Sequence, residues 1–311
     1  MTKEQRRRWR RVKRVLFTPF RWLLYVVEAL FFYLMMALSF LLGPERGPRL
    51  GGFIARKLGP LLPVHRDGVA RLSMAIPQIP KAEADEVIRR LWDNLGHTMG
   101  EYPHLHRFRP DAVPQRVEVV GAEQAQAAAS DGAIFFSAHL ANWEVMSVAV
   151  TNSGIKGGII YRKVNNPFVD WFIYRMRRLA SPAKFIPKGG DNSRRIIQHL
   201  KARQSVMMLT DQKMREGVAV DFFGRPALTP AGAALLAARY KAALIPVSIE
   251  RLPQSHFRVT LHAPLEKAAT GDRYADMMEN LARMNRFLEE IIRQRPHEWL
   301  WLHRRWPKGT V

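Results

Sequence analysis

The sequence predicts an α/β domain, a layered and mainly parallel sheet flanked by helices, with a membrane helix in front of it. Three observations predict it. Short apolar runs recur at 133–136, 158–161, 206–210, 243–249 and 257–261, and stretches of helical character accompany them at 142–152, 167–179, 193–203, 230–241 and 274–293. Alternating strands and helices bury their apolar faces together when the strands form one sheet and the helices cover it. The third observation is the block 22–42, apolar or small apart from Glu28.

Residues 1–14 form a basic segment with eight cationic side chains and one acid, a net +7. The anchor helix is assigned to 15–43. As a helix, the 21 positions from Trp22 to Leu42 reach roughly 30 Å, about the thickness of a bilayer core. Trp22 and Tyr25 stand where an interfacial aromatic belt would place them. A cleavable signal is disfavoured by the length of the block, and by Gly43-Pro44-Glu45-Arg46 where a small-x-small site would be needed. A buried core helix is the structural alternative. Cations ahead of the span outnumber Arg46, Arg49, Arg56 and Lys57 after it. That favours an inward amino terminus, and an outer catalytic domain if the helix crosses. Glu28 is costly in lipid, so a tilted or partly inserted helix on the cytoplasmic face competes with full crossing.

The remainder, 44–311, reads as one catalytic domain. Residues 43–63, punctuated by Gly and Pro, predict a juxtamembrane connector containing a short helix. Within 81–100, Val87, Leu91, Leu95 and Met99 recur every four positions, as an amphipathic helix requires. The net charge of +22 leaves +15 outside the basic segment, so the folded body itself attracts phosphates on nucleic acid, anionic lipid or an acidic carrier protein. The chain has no cysteine, which excludes disulfides, thiolate metal sites and thiol nucleophiles. Charge alone would admit nucleic acid as a partner. The apolar anchor and the absence of a nucleic-acid motif argue against it.

Chemistry in such sheets collects where strands end and helices begin. The segment 133–144 runs from an apolar strand into a helix start, with His139 at the strand's carboxyl end and Glu144 in the first helical turn. A strand-turn-helix corner can fold the carboxylate onto the imidazole. It would then fix the tautomer and raise the basicity of the other ring nitrogen, giving a general base suited to a hydroxyl. A hydrogen-bonded core histidine is the alternative. His106 and Asp111 share the same spacing, but they lie in a charged, proline-broken loop with no strand before it and are taken as a decoy.

Five ordered blocks add to this reading: Ser137-Ala-His139-Leu-Ala-Asn142-Trp143-Glu144; Tyr161-Arg162-Lys163 with Asn165-Asn166-Pro167; Asp211-Gln212; Phe222-Phe223-Gly224-Arg225-Pro226-Ala227-Leu228-Thr229; and the tail 298–306. Together they resemble the lipid A biosynthesis acyltransferases, the late lauroyl or myristoyl transferases of Gram-negative bacteria, within the lysophospholipid acyltransferase superfamily. The likeness covers roughly residues 20 to 307. It implies a glycerol-phosphate-acyltransferase-like sheet and transfer of an acyl group from acyl carrier protein to the hydroxyl of an acyl chain on a lipid A precursor. The implied location is the cytoplasmic side of the inner membrane. His139 and Glu144 would be the catalytic pair, with Asn142, Arg162, Asp211 and Arg225 at the substrate. The family's frequent Gly-His-x-Gly-Asn-Trp-Glu is replaced here by alanine at Ala138 and Ala141, and alanine predicts ordinary backbone angles at that turn.

The chemistry agrees with the resemblance. A thioester donor needs a base for the attacking hydroxyl and a cationic or amide environment for the developing oxyanion, with no metal, cofactor or covalent nucleophile. Neither a Gly-x-Ser-x-Gly elbow nor a His-Glu-x-x-His motif is present. Arg162 suits a phosphate or oxyanion, against a surface ion pair. Asp211 suits the same site, against a structural hydrogen bond. Arg225 suits a headgroup if Phe222 and Phe223 meet an acyl chain or membrane, against a solvated turn over a core aromatic pair. Tryptophans and arginines between 299 and 306 suit an interface or close the core. Another anionic acceptor, such as a lysophospholipid or a phosphatidylinositol mannoside, is the alternative within the superfamily. A non-catalytic membrane scaffold is the alternative outside it.

Overall fold

The computed structural model describes residues 3–189, 192–307 and 309–310, with side chains from residue 20 onward. Met1, Thr2 and the side chains of the basic segment lie outside the described residues. Helix α1 runs Lys3–Leu58 with one break, at Gly43 (φ 81°, ψ 174°). Residues 43–58 are therefore helix, where the Gly and Pro pattern predicted a connector. The punctuation has two other causes. Gly43 ends one helical segment in an extended, positive-φ conformation that glycine alone adopts readily, and Pro44 opens the next. Further along, the glycines let two backbones touch: a Cβ on Gly51 would lie 2.4 Å from the carbonyl oxygen of Gly96. Gly96 belongs to α3 (Lys81–Glu101), which follows α2 (Pro63–Ala75). Along α3 the buried stripe is Ala84, Ile88, Leu91, Asn94, Thr98 and Glu101, whereas Met99 is exposed. The helix is thus rotated from the face its apolar periodicity predicted, because polar side chains are needed beneath the loop described below.

The sheet has seven strands in the order β1-β9-β8-β2-β5-β3-β4. These are β1 (Val117–Val120), β2 (Ala133–Ser137), β3 (Gly157–Tyr161), β4 (Lys184–Pro187), β5 (Ser205–Leu209), β8 (Ala243–Leu252) and β9 (His256–Leu261). All neighbouring pairs are parallel except β8 with β9, so the expected mainly parallel sheet is present. The central strand β2 is buried at every position, as its unbroken apolar run requires. Helices α4 (Ala122–Ala128), α5 (Trp143–Asn152), α6 (Pro167–Ala180), α7 (Asn192–Lys201), α8 (Gly232–Tyr240) and α9 (Arg273–Gln294) supply the flanking layers. Strands β6 (Val218–Phe222) and β7 (Arg225–Thr229) form a separate hairpin. Its two-residue turn, Phe223 and Gly224, has positive φ at both positions (54° and 69°), the conformation two-residue hairpins favour.

Two polar clusters tie these layers together. Arg251 on β8 donates to both carboxylate oxygens of Glu101, to Asn94 Oδ1 (2.8 Å) and to Thr98 Oγ1 (3.1 Å). Glu101 is completely buried. At the other end of the chain, Trp299, Trp301 and Trp306 are at most 1% exposed and pack with Phe222 and Phe223. They close the core rather than face an interface. Arg305 is equally buried, donating to the Leu228 carbonyl (2.9 Å) and to Thr229 Oγ1 (2.7 Å); burial pulls its pKa down to about 10.

Removing one member of a buried ion pair strands the other in low dielectric. Arg251→Ala is therefore expected to lower unfolding stability by about 3–5 kcal/mol. Arg258→Ala, which breaks the half-exposed pair with Glu118, should leave the thermal midpoint of the detergent-solubilised protein nearly unchanged.

Candidate active site

Strands β2 and β5 pair in parallel register, Ser137 opposite Leu209. Two residues further along each strand, at the sheet's carboxyl edge, stand His139 and Asp211. Asp211 Oδ1 lies 2.8 Å from His139 Nδ1, and Oδ2 accepts from the His139 backbone N–H (3.0 Å) and from Trp299 Nε1 (2.8 Å). Burial pushes the Asp211 carboxyl up, but the charge and hydrogen bonds of His139 and the Trp299 donor outweigh it and hold it at about 2. An ionised carboxylate on Nδ1 makes that nitrogen the N–H tautomer and leaves Nε2 as the base. His139 is about one-fifth exposed (19%), and its Nε2 lies 3.3 Å from the Gln212 side-chain amide.

The imidazole's partner is thus Asp211, where the sequence predicted Glu144. The physical reason is strand register: β5 delivers residue 211 beside residue 139, whereas helix α5 turns Glu144 inward. Glu144 is 3% exposed, and its carboxylate takes two hydrogen bonds from Arg177 (2.8 Å from Nε, 2.5 Å from Nη2) and one from Tyr102 Oη (2.9 Å). Burial raises the Glu144 pKa, the Arg177 charge and bonds lower it more, and the net shift is downward, with the nearby His139 charge a smaller influence. Arg177 also lies 5.0 Å from the centroid of the Tyr161 ring. This arginine was missed in the sequence. Its signal was its place on α6, four residues after Ile173 and three before Ala180, both buried.

The turn between His139 and Glu144 is held from three sides. Ala141 adopts φ 43°, the left-handed conformation that alanine was predicted to avoid. Its N–H donates to the Glu298 carbonyl (3.1 Å), and its own carbonyl accepts from Asn94 (3.1 Å) and Thr98 (3.0 Å). Those fixed partners overrule the residue's preference. Leu300 N–H donates to the His139 carbonyl (3.2 Å), so the tail runs beside the loop like an added strand. Asn142 is fully buried with both ends of its amide occupied. Oδ1 accepts the Glu144 and Val145 N–H groups as the cap of α5, and Nδ2 donates to Glu101 (2.7 Å). That engagement positions the loop.

The two remaining arginines make no hydrogen bond or ion pair with this cluster among the described residues. Arg162, just past β3, and Arg225, on the hairpin, are exposed and make no ion pair among the described residues. Phe222 and Phe223 are buried core aromatics, so the turn carrying Arg225 lies over a core aromatic pair. The decoy behaves as expected: Asp111 pairs with Arg109 (2.6 Å).

Comparison with known sequences places this geometry. The family model described as bacterial lipid A biosynthesis acyltransferase matches residues 17–308. The chain is 26% identical over 258 residues to the lipid A biosynthesis lauroyltransferase of Escherichia coli K12, covering 79% of this chain and 80% of that protein. It is 26% identical over 264 residues to the palmitoleoyltransferase of the same pathway and organism, again covering 79% and 80%. A lipid A biosynthesis acyltransferase of Haemophilus influenzae is 23% identical over 249 residues, covering 77% of each chain.

Two stability tests follow from the loop. At Ala141, where φ is 43°, glycine should change stability by less than about 1 kcal/mol, whereas valine, strained and overpacked, should cost about 2 kcal/mol or more. Denaturant unfolding of the two variants compares them. Glu298 is 4% exposed with Oε2 unpartnered, and burial raises its pKa from 4.5 to about 7. A carboxyl raised in the folded state contributes stability that is full below about 4.5 and is lost as pH rises to about 7. The loss is on the order of 3 kcal/mol. Glu298→Gln should remove that part of the slope from a pH series of melting temperatures.

Proposed function

The chain belongs to the bacterial lipid A biosynthesis acyltransferases and is an acyltransferase, and on that premise we propose that it carries a fatty acyl group from acyl carrier protein to a hydroxyl of a lipid A precursor, as a late acylation at the cytoplasmic face of the inner membrane. The observation that carries this reading is the His139–Asp211 pair at the sheet's carboxyl edge, its Nε2 directed away from the buried carboxylate. In the proposed reaction Nε2 takes the proton of the acceptor hydroxyl as its oxygen attacks the thioester carbonyl. Asp211 holds the ring and offsets the imidazolium charge. The tetrahedral oxyanion collapses, the C–S bond breaks, and His139 returns the proton to the departing thiolate. The Gln212 amide, 3.3 Å from Nε2, is the donor best placed for the oxyanion.

Glu144 enters this reading as a fixed carboxylate at the head of α5, bonded to Arg177 and Tyr102, that steadies the loop carrying His139. The Trp143 ring stands edge-on to His139, with centroids 5.3 Å apart. Arg162 is proposed to meet the acceptor's phosphate. The anchor at 15–43 would keep the domain at the membrane where the lipid acceptor is found, and 44–311 would act as the catalytic unit.

The test is mass spectrometry of purified protein with a mixture of acyl carrier protein thioesters and a tetraacylated, sugar-bearing lipid A precursor. The expected product is heavier by one acyl chain. His139→Ala should abolish it, and Asp211→Asn should slow it by about 10²–10⁴-fold in a folded protein, because the ring loses its fixed tautomer. Near-normal rates in both variants would overturn the assignment of the base. Arg162→Ala should weaken use of the phosphorylated acceptor more than Arg162→Lys, and equal kinetics would exclude a bidentate contact. Transfer only to a lysophospholipid would redirect the acceptor assignment while keeping the chemistry.

A further inference from the structure

Resting on the reading of α1 as a membrane segment, we propose that α1 does not cross the bilayer: it lies along the catalytic domain as one half of a monotopic surface, the outer face of α6 being the other half, and both enter the same leaflet of an anionic membrane. A helix that spans the bilayer and then hands the chain to a domain on one side leaves its span behind in lipid, free of that domain. Here the domain accompanies the apolar block along its length. Trp22 meets Phe168 edge to face (6.1 Å between centroids), and Asn166 Nδ2 donates to the Tyr25 carbonyl (2.8 Å) and to Glu28 Oε2 (3.1 Å). Tyr33 Oη donates to the Phe168 carbonyl (3.0 Å), and Phe32 and Tyr33 pack on Phe172. Further on, Ser39 Oγ donates to the Gly100 carbonyl (2.7 Å), and Phe40 stacks on His104. Glu28, the one charge in the block, is answered from the cap of α6.

What α1 leaves uncovered is the opposite side: Leu23, Val27, Leu30, Phe31, Leu34 and Leu41 are all more than half exposed. Helix α6 continues that surface. Its inner face holds Ile173 and Arg177, and its outer face presents Phe168, Trp171, Tyr174 and Leu179. Arg175 and Arg178 stand among them, Arg175 5.6 Å from the centroid of the Trp171 ring. Aromatic rings with arginines beside them suit the headgroup level rather than the hydrocarbon centre. If α1 crossed the bilayer, α6 would be carried to mid-depth and these arginines would sit in hydrocarbon, where charges are expensive. A shallow position buries the apolar faces of both helices and leaves Arg162, Lys163, Arg175 and Arg178 at the phosphates. All four are exposed and make no ion pair among the described residues.

The natural sequence has no cysteine, so single cysteines report cleanly. Full-length protein carrying Gln5→Cys, Leu34→Cys, Trp171→Cys or Lys201→Cys is inserted from detergent into preformed sealed vesicles of phosphatidylethanolamine and phosphatidylglycerol. The expected results are flotation with the vesicles, equal labelling of Gln5→Cys and Lys201→Cys by a membrane-impermeant maleimide, and nitroxides at 34 and 171 both in the outer leaflet above the midplane. If Gln5→Cys reacts only after the vesicles are lysed, α1 crosses and the inference fails, while the membrane reading of α1 stands. A nitroxide at 171 in bulk water would also overturn the inference, since α6 would then not be inserted. Failure of the full chain to float would remove the membrane reading itself, and the inference with it.

Discussion

The carboxylate of Asp211 carries more of this architecture than any other group. It sits at 2% exposure at the end of β5 and gathers three N–H donors, from the imidazole and backbone of His139 and from the indole of Trp299. An ionised carboxylate in that position would be prohibitively costly without those donors. Each donor therefore needs the acid as much as the acid needs them. One link joins β5 to the loop after β2, and another joins both to the tail. The orientation of the candidate base thus follows from solving a desolvation problem, with no separate device to aim the ring.

Much of the fold was legible in the sequence, and the reason is burial. The five apolar runs became β2, β3, β5, β8 and β9, the five interior strands of the sheet, where burial favours apolar side chains. Strands β1 and β4 were not legible because they are the edges, four residues each and only partly buried. The hairpin β6–β7 was hidden in the same way, its exposed positions spoiling any continuous pattern. At the site, the sequence located His139 on a strand end and listed Asp211 among its neighbours, but it could not join them. They are 72 residues apart, and the contact depends on β2 lying beside β5 in one register. The spacing rule that drew attention to Glu144 was local, and the partnership is not.

The same contrast applies to the polar groups beneath the loop. Glu101 with Arg251 and Glu144 with Arg177 are two buried ion pairs from four different elements, meeting on either side of the Asn142 cap. Neither was visible as a pair. Their presence explains why α3 turns a partly polar face to the core. It also explains how alanine at position 141 can hold a left-handed turn for which glycine would be the simpler choice. Helix α6 has the more unusual assignment: its inner face supplies Arg177 to the head of α5, while its outer face shows aromatic rings and arginines that make no ion pair among the described residues. The same short helix therefore adjoins both the candidate catalytic loop and the uncovered apolar surface of α1.

The tail that completes the loop has a consequence for the order in which the protein is made. His139 is synthesised 160 residues before Trp299, and the intervening chain includes β5 with Asp211. A growing chain can assemble β2, α5 and β3 long before the indole donor, the Glu298 carbonyl and the Leu300 N–H exist to hold the turn at Ala141. During that interval the turn lacks its Glu298 and Leu300 partners, Asp211 lacks its indole donor, and the buried positions for three tryptophans stand open. The loop therefore takes its final shape only when the carboxyl-terminal segment folds back, and a chain ending between residues 262 and 297 would hold every strand of the seven-stranded sheet yet lack the partners that fix the turn.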